Sequence, residues 1–121
     1  MYPIDLSGQR GIILGVANER SIAWAIADLL HEAGANVTLA YQSERVKDRV
    51  ASLVSEWEDP LLVECDVSSD DNVARAFSEF AQRYGTLSFV VHSIAFANRE
   101  DLGGAFSDTS RGGFNTALEV S

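Results

Sequence analysis

Apolar residues along the chain fall into four short runs, separated by three longer stretches in which they recur every three or four positions. The runs cover residues 11–15 (Gly11, Ile12, Ile13, Leu14, Gly15), 36–41 (with Val37 and Leu39), 61–65 (Leu61, Leu62, Val63, Glu64, Cys65) and 87–93. Runs this short and nearly continuous predict strands buried on both faces, the habit of a parallel sheet. The stretches between them predict helices. Over 21–33, Ile22, Ile26, Leu29, Leu30 and Ala33 share one face, and Gly34 supplies a left-handed stop. Over 43–57 the stripe is Val46, Val50, Leu53, Val54 and Trp57, and Pro60 bars continuation. Over 69–84 it is Val73, Ala76, Phe77, Phe80 and Tyr84, ending at Gly85. Asp70 and Asp71 fall where the helix dipole favours negative charge, and Ser68 with Asp71 has the spacing of a capping box.

Strand–helix alternation with short connections implies right-handed crossovers and a doubly wound α/β sheet, with parallel strands in the order 3-2-1-4. The first two helices are expected on one face and the third on the other. The last segment, 108–121, reads as a loop entering a helix over 113–120, with no strand after it. There is no internal repeat, linker or low-complexity segment, and 121 residues accommodate a single domain.

Charge and cysteine content remove several function classes. Eighteen acidic residues against nine basic ones leave a net charge of −9, which repels nucleic-acid phosphates and anionic lipid. The densest basic stretch, 45–49, contains Asp48 and follows Glu44, so it reads as a solvated helix face and not as a nucleic-acid footprint. One cysteine and two histidines supply neither an internal disulfide nor a structural zinc site. The longest uncharged stretch, 84–98, holds Thr, Ser, His and Asn and is too short and polar to span a bilayer. Met1 is followed by Pro3 and Asp5 without a basic segment or an apolar core, so no secretory leader is visible and a reducing cytoplasm is the expected compartment.

Candidate chemistry gathers at the carboxyl ends of the strands. After the first run come Gly15, Val16, Ala17, Asn18, Glu19, Arg20, Ser21, Ile22 and Ala23. A glycine at a strand end and a serine-started helix form an anion site, because the first helical N–H groups point at a phosphate. Only Gly15 remains of the usual three-glycine dinucleotide fingerprint, and an ordinary turn with a serine N-cap has the same pattern. Gln42 closes the second strand, where dinucleotide domains commonly place an acid against the ribose, and its amide can bond the same hydroxyls. It can equally be an exposed turn residue. Asp66, after the third strand, can accept a hydrogen bond from an adenine amino group or cap its own turn. Cys65 is expected as buried packing and His92 as a satisfied core histidine, with His31 facing solvent and Trp24 packing its helix.

Taken in order, Gly15-Val16-Ala17-Asn18 with Arg20-Ser21-Ile22-Ala23-Trp24, Tyr41-Gln42 with Glu44-Arg45, Cys65-Asp66-Val67, and His92-Ser93-Ile94-Ala95-Phe96-Ala97-Asn98 resemble bacterial enoyl-acyl-carrier-protein reductases. These form a divergent branch of the short-chain dehydrogenase/reductase superfamily with a long, glycine-poor nucleotide loop. Arg111, Gly113-Phe114 and Ala117-Leu118-Glu119-Val120-Ser121 resemble the start of that family's next helix. The resemblance spans the whole chain but only the amino-terminal half of a family member, one incomplete NAD-binding Rossmann domain over 1–121. It implies that Gly15, Ser21 and Ile22 hold the pyrophosphate and Gln42 the ribose hydroxyls. Asp66 and the Val67 backbone then take the adenine, Ile94 the nicotinamide side, and Ala97 lies beside the acyl substrate. It implies NADH as cofactor, an enoyl-acyl carrier protein as substrate and a homotetrameric parent. Arg45 could pair with a 2′-phosphate, but Glu44 beside it is expected to neutralise it in part, which favours NADH.

The family's hydride chemistry uses a tyrosine and, seven positions later, a lysine. The tyrosines here are Tyr2, Tyr41 and Tyr84 and the one lysine is Lys47, so no catalytic residue is assigned. Tyr41 and Lys47, six apart, read as a coincidence. Two other readings stay open: part of a different short-chain dehydrogenase, acting on an alcohol or ketone, and a nucleotide-binding module without catalysis. The gapped loop and the 92–97 stretch favour the reductase over the first, and the unfinished crossover disfavours the second.

Overall fold

A computed structural model describes residues 4–121; Tyr2, Met1 and Pro3 lie outside the described residues. The elements are β1 (Arg10–Leu14), α1 (Ile22–Glu32), β2 (Asn36–Tyr41), α2 (Glu44–Leu53), β3 (Leu62–Glu64), α3 (Asp70–Tyr84), β4 (Phe89–His92) and α4 (Arg111–Val120). All pairings are parallel and the order is β3-β2-β1-β4, as the alternation predicts. Two single 3₁₀ turns, Arg99–Leu102 and Phe106–Asp108, fill the connection to α4, which the periodicity left without structure.

The sheet is the middle layer. Successive residues of a strand face opposite sides, so Ile13, Val37 and Leu39 meet α1 and α2, with Ala23, Ala27, Val50 and Val54 closing that core. Ile12, Leu14, Ala40 and Val63 meet α3 through Ala76 and Phe80. The helices therefore divide between the faces as expected.

Details of the helices differ from the periodicity. In α1, Ile22 is 74% and Leu29 67% exposed, while Ala23 and Ala27 are wholly buried. The buried face is turned by about one residue, roughly 100° on a helix, because two alanines let the helix approach the sheet more closely than Ile22 and Leu29 could. The cap of α3 is Ser69, whose hydroxyl accepts from the Asn72 N–H at 3.2 Å, and not Ser68 with Asp71. Among the described residues β4 has a strand on one side only and His92 is exposed, so the core position expected for it is not realised there. His31 is not solvent-facing: it is half-buried, stacked on Trp57 with ring centroids 3.9 Å apart, and Trp24 stacks on Trp57 at 5.7 Å.

Candidate dinucleotide site

The carboxyl ends of all four strands open on one pocket of about 220 Å³, lined among others by Gly15, Gln42, Asp66, Val67, Ser93, Ile94 and Val120. Five of the seven expected cofactor residues thus share one cavity, although they are spread over 80 positions of sequence. Parallel strands place every carboxyl end on the same edge, which is why the crevice forms there. Ser21 and Ile22 do not line it; they sit at the start of α1. Ala97, half-buried in the loop after β4, does not line it either.

At the first strand end, Gly15 has φ +114°, and a Cβ there would meet the Ser93 carbonyl. The close approach that requires glycine is thus to the neighbouring strand end; no other residue lets the β1 and β4 exits pass at this distance. Ser21 stands at the N-cap of α1 but makes no side-chain cap. Its hydroxyl instead accepts from the N–H groups of Ala17 (3.0 Å) and Asn18 (3.1 Å), closing the loop on itself. The N–H groups of Ile22 and Ala23 have no hydrogen-bond partner among the described residues. The first turn of α1 carries no acid, whereas α2 begins with Glu44 and α3 with Asp70 and Asp71. An uncapped, unneutralised helix start is the polar fit an anionic pyrophosphate needs.

At the third strand end the turn is braced internally. The Asp66 carboxylate accepts from the Ser68 N–H (3.0 Å) and hydroxyl (2.6 Å), and the two bonds hold its carboxyl below the usual carboxylate range. The expected alternative, an acid serving its own turn, is therefore realised through one oxygen. Cys65 is 4% exposed and its thiol is pushed up by burial and then by Asp66, so it is packing and not a nucleophile.

At the second strand end Gln42 is exposed on the rim. Glu44 does not pair with Arg45: its carboxylate lies 3.8 Å from Lys47, and Arg45 has no ion-pair partner among the described residues. Tyr41 and Lys47 do meet, with the ammonium 6.0 Å from the ring centroid. Tyr41 is nevertheless a core residue, its hydroxyl raised by burial, and lies outside the pocket. At the fourth strand end the Phe96 N–H donates to the Ser121 hydroxyl at 3.0 Å, fastening the β4 exit to the end of α4.

Nothing in the sequence marks Asn72, while Ser68 stands out only as a capping-box candidate and Ser121 only as the end of the last resembling segment. Their types are common in turns, and only the fold reveals what they hold. The S-S-D-D-N run after Asp66 was the one available signal, since such residues bond nearby backbone.

Residues 15–121 match the family model described as enoyl-(acyl carrier protein) reductase. The chain is 40% identical to the NADH enoyl-[acyl-carrier-protein] reductase FabI of Nostoc sp., over 98% of this chain and 47% of that protein. It is 45% identical to the FabI of Bacillus cereus, over 96% of this chain and 46% of that one. Among solved structures, the reductase of Anaplasma phagocytophilum in complex with NAD superposes with a TM-score of 0.91 at 41% identity, covering 97% of this chain and 45% of that one. The Bacillus cereus reductase with NADP⁺ and an indole naphthyridinone superposes at 0.92 with 44% identity, covering 97% and 46%. The chain spans about half the length of the curated relatives it matches. The glycine-poor turn after β1, the braced turn after β3 and a match that runs from Gly15 to the last residue lead to one conclusion: this chain belongs to the enoyl-acyl carrier protein reductase family.

Proposed function

We propose that this chain provides the NADH-binding half of an enzyme that reduces the trans-2 double bond of enoyl thioesters carried on acyl carrier protein. The observation that carries the reading is the single pocket at the strand ends, with the uncapped start of α1 beside it and Asp66 within it. In this reading, Ile22 and Ala23 N–H groups receive the pyrophosphate while Ser21 holds the loop in shape. Gln42 bonds the adenosine ribose, Asp66 and the Val67 backbone take the adenine, and Ile94 bears on the nicotinamide side, with Ala97 towards the acyl chain. Bound NADH supplies a hydride. The residues of this chain bind and orient, and none of them is assigned a proton-transfer role.

Gln42 offers no charge to a 2′-phosphate, so NADH is preferred over NADPH; the exposed Arg45 gives NADPH a residual hold. A cytoplasmic location agrees with the lone reduced thiol of Cys65. No helix among the described residues is long and apolar enough to cross a membrane. Homotetramer formation rests on the family resemblance.

The test is oxidation of NADH by a crotonyl thioester, using protein expressed from the complete reading frame. Turnover with NADH exceeding that with NADPH is expected. Asp66→Ala should weaken NADH binding by about 1–3 kcal/mol, the cost of leaving a polar partner unpaired. Tight NADH binding with turnover of alcohols or ketones and not enoyl thioesters would transfer the chain to the other dehydrogenase reading.

A further inference from the structure

Asn72 lies in the first turn of α3, half-buried, and none of the roles above uses it. Its side chain works in two directions. Oδ1 accepts from the Asp66 N–H at 2.6 Å, and Nδ2 donates to Glu64 Oε1 at 3.4 Å, tying the strand end to the helix start. Its own N–H is held by Ser69 Oγ at 3.2 Å, so the asparagine is anchored before it anchors anything else. Ser68 completes the frame by occupying Asp66 Oδ1 with two hydrogen bonds. Asp66 Oδ2 receives no hydrogen bond among the described residues, and Asp66 lines the pocket.

An ionised carboxylate only accepts hydrogen bonds. Freely rotating, it can take the amino group of a 6-aminopurine or swing to the ring N–H of a 6-oxopurine. Held at its backbone N–H and at one oxygen, it loses the second option. We propose that Asn72 and Ser68 are positioning residues that make Asp66 select a 6-aminopurine over its 6-oxo counterpart. Their contribution is discrimination between bases, with little effect on affinity for nucleotides in general. This rests on the reading that Asp66 meets the base of the dinucleotide, and it adds the residues that enforce the choice.

The experiment compares AMP with IMP by calorimetric titration of the protein expressed from its complete reading frame. IMP differs at purine C6, with an oxo group in place of the amino group and a protonated N1. The unaltered protein should bind AMP about tenfold tighter than IMP, the equivalent of one well-made polar contact. In Asn72→Ala the ratio should fall to about two- or threefold, chiefly through tighter IMP binding as the freed carboxylate reaches the ring N–H. In Ser68→Ala it should fall in the same direction. A role confined to stability would weaken both nucleotides alike or neither, and either result overturns the proposal. If Asn72→Ala does not fold, Ser68→Ala carries the test, and an unaltered ratio there is equally decisive against it. Loss of the ratio in Asp66→Ala with retention in Asn72→Ala and Ser68→Ala overturns this inference alone. Failure of the unaltered protein to distinguish AMP from IMP overturns the reading of Asp66 as well.

Discussion

β2 and β4 flank the same strand, β1, in the same parallel sense, and both read as apolar in sequence. Yet five of the six residues of β2 are buried, while β4 alternates between half-buried and exposed, with Val90 at 46%. β2 has a strand on either side and helices on both faces, whereas β4 has a strand on one side only among the described residues. Apolar content records what a strand can bury, and its neighbours decide what it does bury. The same contrast separates the two ends of the pocket. The turn after β3 is cross-linked by Asp66, Ser68 and Asn72, whereas the β4 exit is fastened through Ser121.

The largest test of the contrast is a pair of truncations. Leu39→Ala in β2 should cost about 2–5 kcal/mol, the lost burial plus the cavity left in a packed core. Val90→Ala in β4 should cost about 1 kcal/mol or less, since half the side chain is already in water. Urea denaturation of both variants measures the difference, and equal losses would break the comparison. Next in size is the junction of β1 and β4. Gly15→Ala places a Cβ against the Ser93 carbonyl in a left-handed backbone and should cost about 2 kcal/mol or more. Gly103→Ala, which meets nothing and keeps an ordinary φ, should be close to neutral by the same assay.

A smaller effect of opposite sign is expected in the middle of β2. Thr38 is wholly buried and its hydroxyl has no hydrogen-bond partner among the described residues. Thr38→Val keeps the shape and removes the unpaired group, so it should stabilise by about 1 kcal/mol in the same denaturation series. The smallest effect is a pH slope. Burial raises the Cys65 thiol above its unfolded value, so its contribution is fully present below that value and is lost as pH rises through the folded one. Stability should therefore decline above pH ~8.5, and Cys65→Ala should flatten part of that slope. Native alkylation of Cys65 slower than in urea is the companion measurement, and equal rates would contradict its burial.

Much of the fold was legible in the sequence because period and run length are local properties. Strand order, parallel sense and the division of helices between faces all followed from the alternation and from the handedness of crossovers. The stripe of α3 matches the periodicity because its large residues lie on one side only. That of the second helix does so only as far as Leu53, where α2 ends, and Val54 and Trp57 pack on the core from the turn that follows. α1 is apolar on more than half of its circumference, so periodicity alone did not separate Ala23 and Ala27 from Ile22 and Leu29. The exposure of His92 among the described residues depends on which strands flank β4, a property of the assembled sheet.

By itself, the sequence determined the α/β class, the parallel order 3-2-1-4 and the strand ends at which Gly15, Gln42, Asp66 and Ile94 gather. These follow from local periodicity and from the resemblance of short ordered motifs. Only the tertiary structure decided that Gly15 yields space to Ser93, that Ser21 closes its loop instead of capping α1, and that Glu44 pairs with Lys47 and leaves Arg45 unpaired. It also decided that Asn72 reaches back six positions to hold Asp66. The last three are choices among several polar partners near in sequence, whereas Gly15 and Ser93 lie 78 positions apart. Angles and distances of a few ångströms settle such choices, and they exist only once the strands and helices have packed.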